Sequence, residues 1–139
     1  MNNEIILRLG IWDFNDISHK EISNSLSVEP TKEYFKGQKR SKNVSAISKK
    51  NGWLFQPTLN LQLSFEEQLD KLLSIIVSKK DVLEVYCRKY YCEISCAVYI
   101  YYDNEESIPS VHFNKDQLQV LKELKIEFDL DIYCLPNTN

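Results

Sequence analysis

The chain holds few of the residues that most often announce chemistry. Its 139 residues include 3 glycines, 4 cysteines and 2 histidines. Gly10, Gly37 and Gly52 lie far apart, so they cannot build a glycine-rich phosphate loop. His19 follows Ser18 at a helix start and His112 sits between Val111 and Phe113, neither near a nucleophile elbow. No apolar run approaches the ~18 residues that a membrane-spanning helix requires. The opening Met1-Asn2-Asn3-Glu4, with Ile5-Ile6-Leu7 cut short by Arg8, has neither the basic start nor the long apolar stretch of a signal peptide. These absences predict a cytoplasmic, non-enzymatic protein with no cofactor and no catalytic constellation.

The cysteines, Cys87, Cys92, Cys96 and Cys134, do not have zinc-site spacing. Cys92 and Cys96 fall in an alternating run rich in β-formers, and four residues along a strand separate two side chains by roughly 13 Å. They cannot share a tetrahedral ion, so no metal site is expected. Small buried hydrophobes are the usual fate of free cysteine, and a reducing compartment disfavours disulfides.

What remains is the grammar of a folded domain, 43% hydrophobic and 27% charged. Residues 4–12 alternate as a first strand, with Ile5, Leu7, Leu9 and Ile11 on a core face and Ile6, Arg8, Gly10 and Trp12 on the other. Helix starts are punctuated three times. Ser18-His19-Lys20-Glu21, Ser64-Phe65-Glu66-Glu67 and Asn114-Lys115-Asp116-Gln117 each have the form of a capping box. The helix after Ser18 is expected to stop before Pro30. Further strands are expected at Thr31–Lys36, Trp53–Gln56 with Leu59–Leu63, Tyr91–Tyr102, Ser110–Phe113 and Phe128–Cys134. Asp81–Lys89 fits a short helix and a strand equally.

Strand, capped helix and strand describe both residues 4–36 and residues 91–134. Short helices with one apolar stripe each must bury it against a shared sheet. The expected fold is therefore α+β. Ferredoxin-like β-α-β units would form one mostly antiparallel sheet, with helices packed on one face. One domain should span residues 1–139, with a basic loop at about 37–51.

Charge is uneven. Thr31–Lys50 holds seven cations against Glu33, a net +6, which leaves −9 elsewhere in a chain of net −3. This stretch has the composition of an exposed, mobile loop, and Lys36, Lys39 and Arg40 are its candidate contacts for an acidic partner. Tyr91, Tyr99 and Tyr101 share the outer face of their strand, which could stack bases. Glu93 on that face, and Asp103, Glu105, Glu106, Asp129 and Asp131 nearby, would repel a phosphate chain, so a nucleic-acid partner is disfavoured. Tyrosines among carboxylates suit a basic protein instead. Asp129 and Asp131, roughly 6.5–7 Å apart on a strand, match the spacing of inverting glycosidases. They match an ordinary exposed strand equally well, as Asp103-Asn104-Glu105-Glu106 matches a hydrophilic turn.

Several elements occur in a recognisable order: Ile22-Ser23-Asn24-Ser25-Leu26, Glu29-Pro30-Thr31, Lys36-Gly37, Lys49-Lys50-Asn51-Gly52-Trp53 and Asp129-Leu130-Asp131-Ile132-Tyr133. In this the chain resembles the DUF4279 family of small, mostly bacterial proteins of unassigned function. The resemblance runs from the first strand to Tyr133 and departs from the family pattern in the lysine-rich stretch between Gly37 and Trp53. Its motifs are core and turn residues, which describe a scaffold. The resemblance implies a setting beside bacterial toxin genes. The expected function is thus an immunity protein that neutralises a cognate protein toxin, such as a nuclease, by covering its active site or substrate surface. Expected contacts are Tyr99, Tyr101, Asp103, Glu105 and Glu106 on one side and Lys36, Lys39 and Arg40 on the other. The alternative is a small regulatory domain that binds a small ligand or nucleic acid.

Overall fold

The computed structural model describes residues 1–138. Strand β1 (Glu4–Trp12) leads through helix α1 (His19–Leu26) to β2 (Lys32–Tyr34) and β3 (Gly52–Phe55). Helices α2 (Phe65–Ser78) and α3 (Lys80–Lys89) then precede β4 (Tyr91–Tyr102), α4 (Lys115–Leu124) and β5 (Glu127–Pro136). The fold is mixed α+β, with one five-stranded sheet in the order β2-β3-β1-β4-β5. Three neighbouring pairs are antiparallel, and β4–β5 alone is parallel.

The capping signals mark the helices as expected. Ser18, Ser64 and Asn114 each accept a hydrogen bond from the backbone N–H three residues on, and Asn114 with Gln117 completes a reciprocal box. β1 ends at Trp12, and Asp13 just after it has a left-handed φ of 63°. Helix α1 ends at Ser27 in the same conformation.

The core lies on one side of the sheet. Ile5, Leu7, Leu9 and Ile11 from β1 and Cys92, Ile94, Cys96 and Val98 from β4 are buried there. Against them pack Ile22 and Leu26 of α1, Leu69, Leu72 and Ile76 of α2, Leu83 of α3 and Leu121 and Leu124 of α4. Two buried donors inside this layer are tied down. The Trp53 indole N–H donates to Ser23 Oγ at 3.0 Å, and Gln68 Nε2 donates to the Ile5 carbonyl at 2.9 Å.

Some expected elements differ. Ser110–Phe113 is not a strand: Val111 and Phe113 alternate onto the core, but the segment has no hydrogen-bonded neighbour in the sheet. Leu59–Leu63 forms a turn, from which the Leu61 carbonyl accepts the Ile5 N–H at 2.9 Å. Asp81–Lys89 is helical, and the strand expected at Thr31–Lys36 keeps only its centre. The basic stretch is more ordered than its composition suggests. It folds back on itself, with Gly37 N–H donating to Ser48, Ser48 N–H to Gln38 and Arg40 N–H to Ala46 at 2.8–2.9 Å. Lys39 and Ile47 form a bridge within it.

Candidate functional site

The face of the sheet turned away from the helices carries the molecule's candidate binding groups. Strand register lines them in rows. Tyr34, Gly52, Trp12 and Tyr91 form one row across β2, β3, β1 and β4. Glu4, Tyr99 and Tyr133 form another, at the far end of β1, β4 and β5. Eight residues of β4 separate Tyr91 from Tyr99, about 27 Å along the strand.

The first row ends in an aromatic corner. Gly52 has no side chain, and the Trp12 indole lies across it onto Tyr34, with ring centroids 5.4 Å apart and planes 21° apart. Lys32 and Arg40 stand over the Tyr34 ring at 5.4 and 5.1 Å, within cation–π range. The basic hairpin rises beside the indole, and together they frame an open cavity of about 410 Å³.

The other end is acidic. Asp129 and Asp131 project from β5 beside Ser95 and Ala97 of β4, in register with the stacked pair Tyr99–Tyr133, whose centroids are 5.0 Å apart. β5 is the outer strand of the sheet. On its opposite face Leu130 and Ile132 remain 38% and 59% exposed. Back toward the Trp12 row, Glu93 and Glu127 pair across β4 and β5 on the outer face, next to Gly10. The Tyr91 hydroxyl donates to Glu93 at 2.7 Å, and this bond to a carboxylate pushes the phenol's pKa well above its usual range.

The family described as a domain of unknown function, DUF4279, matches residues 3–135 of this sequence. The chain belongs to the DUF4279 family. No curated protein and no solved structure matches it.

In this DUF4279 member the sequence-predicted contacts fall into two separate groups. Lys36, Lys39 and Arg40 belong to the hairpin at the Trp12 corner, whereas Tyr99 and Tyr101 lie at the acidic end, and register keeps the two apart. Asp103, Glu105 and Glu106 follow β4 in a tight turn, with Asp103 and Glu105 both at φ 63°. That turn clasps the start of β1: Glu106 accepts the Asn3 N–H at 2.7 Å, and Asn104 donates to Asn3 and to the Met1 carbonyl. Asp103, Glu105 and Glu106 are all exposed, and Glu106 in addition holds the Asn3 N–H.

Sequence reasoning passed over Trp12, Tyr34 and Ser48. The period-two pattern had already set Trp12 on the outer face beside Gly10; its meeting with Tyr34 depends on β3 inserting between β1 and β2, which no local signal shows. The cysteines remain thiols. Cys92 and Cys96 are buried, and the thiol pKa of Cys96 is pushed up to about 11 by burial. Among the described residues, no three His, Cys, Asp or Glu side chains come together as metal ligands, and no helix is long and apolar enough to cross a membrane.

Proposed function

We propose that this chain is a non-catalytic binding protein, an immunity protein that captures a basic protein toxin on the acidic end of its open sheet face. The observation that supports this most is the Tyr99–Tyr133 stack flanked by Asp129 and Asp131 on an outer strand. Stacked tyrosines offer rigid contact area, and neighbouring carboxylates steer a cationic surface toward them. A nuclease, built to hold phosphate, presents such a surface. Tyr101, Asp103 and Glu105 extend the patch, and the main-chain groups on the free side of β5 could align an added strand. The cytoplasm, where such a toxin acts, is the proposed location.

The scaffold is proposed to be ferredoxin-like over its first four strands. β1 and β2 run parallel around β3, β3 and β4 run parallel around β1, and α4–β5 is added at the edge.

Co-expression with the product of a neighbouring toxin gene tests the function. Rescue of growth, lost in the Asp129→Lys/Asp131→Lys variant with unchanged melting, is the expected result. Absence of rescue from every neighbouring toxin would dismiss the immunity reading.

A further inference from the structure

The aromatic corner lies at the other end of the sheet and calls for a different ligand. We infer that the cavity between Trp12 and the basic hairpin is a binding site for a nucleoside monophosphate, an aromatic base carrying one phosphate group.

Four observations converge on it. The first is the wall. A Cβ at Gly52 would lie 2.4 Å from Trp12 Cζ3 and one at Gly10 2.8 Å from Trp12 Nε1, so only these two glycines let the indole lie flat on the sheet. Half-buried and stacked with Tyr34, the indole lines the cavity and supplies aromatic surface for another ring. The second is charge. Arg40, Lys49 and Lys50 line the same cavity, and the ion pairs among the described residues, Lys80–Glu123 and Lys89–Asp16, involve none of them. Cations without carboxylate partners favour an anion, and a guanidinium suits a phosphate in particular.

The third observation is Ser48, which also lines the cavity. It is only 5% exposed, and its hydroxyl has no hydrogen-bond partner among the described residues. Such a group costs stability unless something satisfies it. A ligand oxygen reaching the floor of the cavity would do so after a small shift of the hairpin. The fourth is order. The backbone bonds that close the hairpin hold Arg40 and Ser48 in place before any ligand arrives.

Neither half of the ligand suffices alone. A bare phosphate leaves the indole unused, and an uncharged ring leaves the cations unused. The cavity, about 410 Å³, falls within the ~300–1,000 Å³ typical of small-molecule sites. A continuous nucleic-acid strand is disfavoured, because Glu93, Glu127 and Asp129 occupy the same face beyond the corner. Their carboxylates would repel further phosphates.

The test is titration of the whole protein with AMP, followed through the indole N–H resonances of its 2 tryptophans. Trp53 is fully buried and serves as the internal control. The expected result is a saturable shift of Trp12 with Trp53 unmoved, with inorganic phosphate and adenosine each binding at least about tenfold more weakly. Arg40→Gln/Lys49→Gln, both exposed positions, should lower AMP affinity at least about tenfold at unchanged melting temperature. Ser48→Ala should melt no lower than the parent and yet bind AMP less tightly. An unmoved Trp12 resonance at millimolar AMP, or equal affinity in the Arg40/Lys49 variant, would overturn the site. An oligonucleotide binding more than about tenfold tighter than AMP would overturn the free-nucleotide assignment in favour of a strand.

Discussion

A single methyl group shows how closely the residues of the aromatic corner fit. At position 52 it would press into the six-membered ring of Trp12, so Gly52→Ala should destabilise the fold by about 1–3 kcal/mol, as overpacking does. Combining it with Trp12→Ala should recover much of that loss, giving a coupling of about 0.5–3 kcal/mol in a denaturant double-mutant cycle. Additive losses would show that the indole can move aside freely. A second residue-scale effect concerns pH. Loss of hydration and a hydrogen bond donated to Asp16 push Tyr90 up to about 12, and the same bond holds the Asp16 carboxyl below its usual range. The protonated phenol is therefore favoured in the folded state. Its contribution is intact below the ordinary 10.0 and disappears as pH climbs through about 12. The Asp16 contribution has the opposite sense, present above the ordinary 3.8 and lost as acid protonates the carboxylate. Tyr90→Phe should flatten the fall of melting temperature with pH on both flanks; an unchanged profile would remove the bond from the account.

Among the elements, those with punctuation within three residues were readable in advance. Ser64 illustrates this: its hydroxyl accepts the Glu67 N–H at 3.1 Å and opens α2 where the capping box predicts. Ser64→Ala should cost about 1 kcal/mol in thermal or urea unfolding; a loss near zero would mean that solvent replaces the cap. Helix α3 lacked any such mark. Lys79 stands between α2 and α3 as the cap of both and makes no side-chain cap bond, so the chain passes from one helix to the next without a polar signal. Its apolar pattern alone could not separate helix from strand. Val111 and Phe113 misled for the converse reason. They alternate as a strand does, but their side chains reach the core from an extended segment, and Phe113 packs edge-on against Phe65 and Phe128 at 5.3 and 4.8 Å. Alternation reports which side chains are buried and carries no information about a hydrogen-bonding neighbour.

For the whole molecule, the outer faces of β1 and β4 were legible from period-two alternation, whereas strand order was not, because it is set by packing between distant segments. That is why the basic and acidic candidates were visible in the sequence but their separation was not. The thiols report on the same global packing. Cys134 is exposed, Cys87 is half-buried, and Cys92 and Cys96 lie in the core. A thiol-reactive dye should label Cys134 first and Cys87 more slowly. Cys92 and Cys96 should react only at the rate of global opening, and prompt labelling of all 4 would show that the core opens locally. The separation of charge across the open face also acts at a distance. With Lys32, Arg40, Lys49 and Lys50 near one corner and Asp129, Asp131, Glu93 and Glu127 toward the other side, the protein has an electric dipole that its modest net charge of −3 conceals. It should turn its β5 margin toward a cationic resin and its hairpin toward an anionic one, and so be retained on both.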